Sequence, residues 1–210
     1  MIELDQVSVE FDGRRVLEPT SLSLEAGTSV ALTGPNGSGK TTLLRILAGL
    51  LKPTSGTRRG PAPREVAYVS QHVRTNPWMP LTVAEVLTMS QYRHRGLLGP
   101  LRGDDRRRIA DASARLEVED LFDRSFGELS GGQCQRVRMA AALAADATCI
   151  MLDEPISGLD LASQFRILNV IDDERQAGRL VVLCTHHLDE AEKCDRVIML
   201  AGRVVADGPP

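Results

Sequence analysis

The chain has 210 residues, of which 42% are hydrophobic, and this suits one domain or one domain with a subdomain. The net charge of −3 gives no global electrostatic case for binding nucleic acid. No apolar run approaches the roughly 20 residues of a membrane helix, and the acidic start at Glu3 and Asp5 is unlike a signal peptide. The four cysteines form no CxxC pair, so we expect reduced, buried thiols in a cytosolic protein.

The first 33 residues predict antiparallel strands. Val7, Val9 and Phe11 alternate with polar residues, and Asp12-Gly13 is a typical turn between two strands. Composition by itself predicts that Phe11 is a core residue on a strand face.

Residues 34–42 form the clearest motif of the chain, a match to G-x-x-x-x-G-K-[ST]. An apolar strand is predicted at 29–33, and leucines at helical spacing over 43–51 predict a helix. The loop's backbone N–H groups and the helix N-terminus suit a phosphate chain; Lys40 supplies charge to it, and Thr41 can bind Mg²⁺. A glycine-rich turn without a ligand is the weaker interpretation. The motif consists of Gly34, Pro35, Asn36, Gly37, Ser38, Gly39, Lys40, Thr41 and Thr42.

The segment after this helix predicts a loop at 57–65 and a short strand at 66–69. Gln71 follows that strand, where a polar residue is usually just a strand terminus.

Residues from about 82 to 145 predict helices and no strand. Thr82 and Glu85 form a capping box that opens a helix to about Tyr92. A second helix is predicted from Asp104 to about Leu116, and a third ends near residue 145. This pattern indicates an all-helical insertion in an α/β core.

The third helix opens with the pentapeptide at 129–133. Ser130 and Gln133 have capping-box spacing, which is a purely structural explanation for both. Gly131 and Gly132 weaken a helix start, so they make sense if another group approaches the backbone closely.

An apolar strand at 149–153 ends in two carboxylates, Asp153 and Glu154. Acids at the carboxyl edge of a parallel strand, beside a phosphate loop, are placed for Mg²⁺ and water chemistry. An ordinary polar strand end is the alternative.

The last third predicts a turn at 157–160, which ends in Asp160, and then a helix with Leu161, Phe165 and Leu168 on one face. A buried strand at 180–184 leads to His186 and His187. This pair is either structurally unremarkable or a weak metal site, and at most one of them is aimed at a nucleotide. A hairpin is predicted about residues 201–202.

In this order, the motifs resemble those of the ATP-binding subunit of an ABC transporter over essentially the whole chain. The pentapeptide followed by Gln135-Arg136 is the specific part of the resemblance. The resemblance implies an α/β P-loop NTPase core, with a mixed sheet, flanking helices and an N-terminal antiparallel β patch, plus an inserted all-helical subdomain. It assigns residues 1–72 and 146–210 to the ATPase core and 73–145 to the helical subdomain.

The resemblance also implies site roles with ATP and Mg²⁺ as cofactors. Phe11 would stack on adenine and Gln71 would link Mg²⁺ to the membrane partner. Asp153 would hold Mg²⁺, Glu154 would polarise the attacking water, and His186 would contact the γ-phosphate. The further nucleotide-binding residues would be Ser130, Gly131, Gly132, Gln133 and Asp160. Departures from the family pattern, which lie outside this set, are Ala141, Ala147 and Ile156.

The implied partners are a second copy, which would face the first head to tail with ATP between them, a membrane permease and a cargo-binding protein. We expect the protein at the cytoplasmic face of the membrane, and we do not expect nucleic acid among its partners.

Residues 78–87 and 92–99 are similar to those of the ATPases of zinc/manganese importers. Trp78 and Met79 would pack either on the membrane subunit or on the helical subdomain. Alternatives are a siderophore-type importer, an exporter, or a soluble ABC ATPase, against which the pI of 5.8 argues.

Overall fold

The computed structural model describes residues 1–71, 81–92 and 100–210. The chain folds into two compact units. The first comprises Met1–Tyr68, Thr148–Pro155 and Ile171–Pro210, and the second comprises Val69–Ala147 and Ile156–Val170. The domain bounds expected from the sequence remain a prediction, and the two units differ from them by including 156–170 in the helical part. Within the described ranges, no helix has the length and apolar character needed to span a membrane.

A small antiparallel sheet carries the N-terminus in the first unit. Its strands are β1 (Ile2–Phe11), β2 (Arg14–Leu24) and β4 (Ser55–Arg59), in the order β2-β1-β4. Asp12 and Gly13 both have positive φ, as a tight hairpin turn requires, so the predicted turn is confirmed.

Strand β4 includes residues 57–59, so the loop predicted over 57–65 is wrong for that part. Its Arg- and Gly-rich sequence has low strand propensity, but it pairs with the free side of β1, where Glu3 faces Arg59. The Arg58 guanidinium also donates to the carbonyl oxygens of Leu47 and Pro61. The pairing of β4 with β1 is a long-range contact, which local sequence patterns do not reveal.

The larger sheet has six strands. They are β3 (Ser29–Thr33), β5 (Val66–Val69), β6 (Cys149–Asp153), β7 (Leu180–Cys184), β8 (Arg196–Leu200) and β9 (Val204–Gly208), in the order β5-β6-β7-β3-β8-β9. Strand β3 runs parallel to β7 and β8, β6 runs parallel to β7, and β9 is antiparallel to β8. Every residue of β3, β6 and β7 is buried, which explains their continuous apolar runs.

Helix α1 (Lys40–Leu47) packs against strands of both sheets. Leu43, Leu44 and Leu47 are fully buried there. The helix ends earlier than the predicted 51 because Gly49 takes a left-handed φ of 71°, a common way to end a helix. Leu51 still packs on the core from outside the helix.

Helices make up the second unit, as predicted for an insertion. They are α2 (Val83–Met89), α3 (Gly103–Leu116), α4 (Gly131–Ala144) and the first part of α5 (Leu161–Gln176), with short 3₁₀ turns at Glu119–Leu121 and Phe126–Glu128. Helix α4 packs against α2 and α3. The capping box of Thr82 and Glu85 is confirmed, but α2 ends at Met89 rather than near Tyr92.

The apolar face predicted for α5, with Leu161, Phe165 and Leu168, lies on the helix but is not its buried face. Leu161 and Phe165 are 71% and 58% exposed, and the buried stripe instead contains Ile167, Val170 and Ile171. Both sets have helical spacing, so the periodicity could not distinguish them. Helix α6 (Leu188–Ala191) is a single turn that contacts β3.

The cysteines generate a first prediction. Burial raises the pKa of Cys149 and of Cys184, and it raises the pKa of Cys194 to about 12. Since the thiolate is the reactive form, we expect these three to resist iodoacetamide at pH 8 in the folded protein. Cys134 is only half-buried and should be modified first, although burial raises its pKa too.

Mass spectrometry of the alkylated peptides measures this order, and a sample unfolded in guanidinium serves as the control in which all four thiols should react. Modification of Cys149 or Cys184 in the folded chain at the unfolded rate would contradict the prediction.

Candidate active site

The phosphate loop lies between β3 and α1, as the sequence predicts. Gly34 has a φ of 137°, and a Cβ there would approach the Leu200 carbonyl oxygen to 2.2 Å, so only glycine fits. Lys40 is 8% exposed, and its Nζ donates to the carbonyl oxygens of Gly34 (2.7 Å) and Pro35 (3.0 Å). The ammonium group is therefore held inside the curve of the loop.

Asp153 joins the phosphate loop to the end of β6. Thr41 Oγ1 donates to Asp153 Oδ1 at 3.1 Å, and the Tyr68 hydroxyl donates to Oδ2 at 3.4 Å. Asp153 is only 4% exposed. A hydroxyl and a carboxylate are hard oxygen donors of the kind that Mg²⁺ prefers, so this pair fits the expected ion. The proximity of Thr41 and Asp153 was predicted; their direct contact is an observation.

Tyr68 is a site neighbour that sequence reasoning missed. Burial raises the pKa of its phenol, with a further contribution from Asp153, so the hydroxyl stays protonated and able to donate at neutral pH. No local sequence signal marks Tyr68 as a site residue, because the order that places β5 next to β6 is a property of the folded sheet.

Glu154 follows β6 in an unusual backbone conformation. Its φ is 51°, in the left-handed region that non-glycine residues rarely adopt, and its N–H donates to the Cys184 carbonyl oxygen at 3.1 Å. The side chain lies 3.6 Å from His186 Nδ1 through Oε1. The structure thus brings together the two residues that the resemblance assigned to the water and the γ-phosphate.

The pentapeptide opens α4 with a complete capping box. Ser130 Oγ accepts from the Gln133 N–H at 3.3 Å, and Gln133 Oε1 accepts from the Ser130 N–H at 3.1 Å. The structural explanation for both residues therefore holds, whatever else they do. Within the described residues, a Cβ on Gly131 would meet nothing within 4 Å, and one on Gly132 would meet only Leu159 at 3.5 Å. Contacts with the residues that the structure describes thus do not require these glycines.

Asp160 also has a local structural role. Its carboxylate accepts from the Ser163 N–H and from Ser163 Oγ, both at 2.9 Å, which are the contacts of a helix N-cap. These hydrogen bonds lower the pKa of Asp160. Gln71 is exposed, and the Arg138 guanidinium donates to the carbonyl oxygen of the preceding residue, Ser70.

Phe11 is 47% exposed at the end of β1, so the prediction of a core phenylalanine is wrong. Strand alternation failed here because the last residue of β1 leads directly into the turn. An exposed aromatic ring remains compatible with stacking on a base.

Two of the residues singled out from the sequence, Trp78 and Met79, fall outside the described ranges. Within the described ranges, no group of three or more His, Cys, Asp or Glu residues is arranged to hold a metal ion. The suggestion that His186 and His187 form a weak metal site therefore gains no support.

Comparison with known proteins decides the family. Residues 17–157 match the family described as ABC transporter. The chain belongs to this family. It is 36% identical over its full length to the zinc import ATP-binding protein ZnuC of Pseudomonas fluorescens, covering 77% of that protein. It is 33% identical to the manganese transport system ATP-binding protein MntA of Synechocystis, covering 99% of this chain and 84% of that one.

Solved structures agree with this assignment of an ABC ATPase. The dimeric structure of MJ0796, a bacterial ABC transporter cassette, is 29% identical with a TM-score of 0.87, covering 100% of this chain and 98% of that one. The same cassette is also known as a dimer in a post-hydrolysis state bound to ADP and phosphate, with 28% identity, a TM-score of 0.87 and the same coverage. The α/β fold predicted for an ABC ATPase and its ATP-hydrolysing activity are therefore confirmed.

Proposed function

We propose that this ABC ATPase powers the import of a transition-metal ion, zinc or manganese, through a separate membrane permease. The observation that carries the catalytic part is the contact of Thr41 with Asp153. Lys40 precedes Thr41 in the phosphate loop, and Glu154, whose carboxylate faces His186, follows Asp153. The cargo is supported by the names of the zinc and manganese relatives. These names favour a metal ion over a siderophore.

The residues of the first unit suit transfer of a phosphoryl group to water. Lys40 and the N–H groups of the phosphate loop bind and orient the phosphates, and Thr41 and Asp153 would hold Mg²⁺. Gln71, which belongs to the second unit, is proposed as a further ligand from the family resemblance alone. The ion, when bound, neutralises charge on the phosphate oxygens. Glu154 accepts a hydrogen bond from the attacking water, and His186 positions the γ-phosphate.

The active site is completed by a second copy of the chain. The exposed Ser130 and Gly131, with Gly132, Gln133 and Asp160, would meet the ATP that the partner's phosphate loop holds, while Phe11 stacks on the adenine of its own ATP. Two glycines that no contact among the described residues requires are explained by such an approach. The dimeric MJ0796 cassette supports this arrangement.

The other partners are a polytopic permease, which places the ATPase at the cytoplasmic face of the membrane, and a cargo-binding protein. Purification from membranes tests this proposal directly. A membrane-spanning protein should co-purify, and elemental analysis of the complex should find zinc or manganese. Co-purification with ribosomes or DNA instead would exclude the transport function.

Lys40→Ala should weaken ATP binding. It removes a charged donor to the phosphates, and we expect about a 10- to 100-fold rise in the Kd, since a hydrogen bond to a charged group is worth about 1.5–3 kcal/mol. Isothermal titration with ATP measures the change. Lys52→Ala, which changes an exposed lysine, is the matched control. Equal ATP affinities of the two variants would refute the phosphate-loop assignment.

Glu154→Gln should keep ATP binding but slow hydrolysis by about 10²- to 10⁴-fold, because the amide cannot accept a proton from water. The ATP-bound dimer should then accumulate, which size-exclusion chromatography with light scattering measures. Glu192→Gln, at an exposed glutamate, should leave both properties unchanged. Near-normal turnover of the Glu154 variant would remove this residue from its proposed role.

Ser130→Arg should block dimerisation and hydrolysis while the monomer still binds ATP, because the pentapeptide acts on the partner's nucleotide. Glu128→Arg adds the same side chain at a nearby exposed position and serves as the control. A collapse of monomer ATP affinity in the Ser130 variant would show that the pentapeptide does not act across the dimer.

A further inference from the structure

A buried carboxylate lies beside the histidine pair, and the proposed reaction does not use it. Glu190 sits in the single-turn helix α6 and is 4% exposed. Burial raises its pKa, while a hydrogen bond from Thr185 and the nearby His187 and His186 oppose that shift. Burying a carboxylate costs free energy unless partners compensate, so its contacts need an explanation.

Thr185 connects this carboxylate to the backbone on both sides of His186. The Thr185 N–H donates to the Leu32 carbonyl oxygen at 3.0 Å, which fixes it to β3 just before the phosphate loop. Its Oγ1 accepts from the His187 N–H at 3.0 Å, and a hydrogen bond from Thr185 is the largest of the influences that lower the pKa of Glu190. One buried hydroxyl therefore closes a short loop of backbone whose central residue is His186.

The side chains continue this arrangement. The His186 and His187 rings lie 4.0 Å apart between centroids with an interplanar angle of 38°. His187 Nε2 lies 4.0 Å from Glu190 Oε1, and His186 Nδ1 lies 3.6 Å from Glu154 Oε1. The His186 ring is thus placed between the Glu154 carboxylate and the His187 ring, which Glu190 in turn faces.

We propose that Thr185, His187 and Glu190 form a clamp that positions His186 for hydrolysis. The three are positioning residues, since they act through His186 rather than on the nucleotide. This proposal rests on the role assigned to His186 above. A loosely held histidine would still allow ATP to bind at the phosphate loop, but the reacting groups would be aligned for less of the time. The clamp therefore acts on kcat and leaves KM nearly unchanged.

Thr185→Val is the main test, because valine has the shape of threonine but no hydroxyl. We expect kcat for ATP hydrolysis to fall by about tenfold or more, with KM changed by less than about twofold. Thr185→Ser restores the hydroxyl and should restore kcat to within about twofold of the wild type. A purely structural role would instead lower the melting temperature and leave kcat of the folded fraction unchanged.

Glu190 provides an independent pair of variants. Glu190→Gln keeps an oxygen that accepts from Thr185 and should retain most of kcat, whereas Glu190→Leu should behave like Thr185→Val. Combining Thr185→Val with Glu190→Leu should cost little more than either change, because both break the same contact. Additive losses would show that the two residues act separately and would overturn the clamp.

Two further variants keep the outcome interpretable. His187 is half exposed on its side chain, so His187→Ala should fold even if Thr185→Val does not, and it should lower kcat without changing the melting temperature. A His187→Ala variant whose kcat equals that of the wild type would count against the clamp. His186→Ala separates the two proposals: wild-type hydrolysis by this variant overturns the role of His186 itself. An inactive His186→Ala with a fully active, folded Thr185→Val overturns only the clamp.

Discussion

The parallel register of β6, β7 and β3 is the constraint on which the rest of this structure depends. Asp153 is paired with Cys184 and Leu32 is paired with the same residue from the other side, so three strands end at one edge of the sheet. The phosphate loop, the acidic pair and the histidines leave the sheet from these three strand ends. A one-residue shift in any pair would move the following side chains to the opposite face.

Local backbone strain is concentrated at the proposed catalytic carboxylate. A left-handed conformation costs a non-glycine residue about 1–2 kcal/mol, and Glu154 keeps it with an N–H bond to the Cys184 carbonyl oxygen. The neighbouring strand therefore holds the residue in a conformation that its own preferences disfavour. Such strain is common where a side chain must point in one direction, and here it points toward His186.

Several residues of this ABC ATPase serve the fold and the proposed site at once. Ser130 and Gln133 cap α4, and Asp160 has the contacts of an N-cap at α5. Helix capping by Ser or Asp is worth about 1 kcal/mol, so substitutions there change stability as well as activity. Substitutions at exposed positions that leave the caps intact are therefore the informative controls in the second unit, because they separate a loss of activity from a loss of stability.

The sequence by itself determined the phosphate loop, the buried strands, the capping boxes and the family, because each depends on residues that are close along the chain. It did not reveal β4, the buried stripe of α5 or the exposure of Phe11, since these depend on which surfaces meet in the folded chain. The same holds for the site. Lys40, Asp153, Glu154 and His186 could be named from motifs. The contact of Tyr68 with Asp153 was decided only by tertiary structure, because the pairing of β5 with β6 brings residues that are far apart in the chain within hydrogen-bond reach.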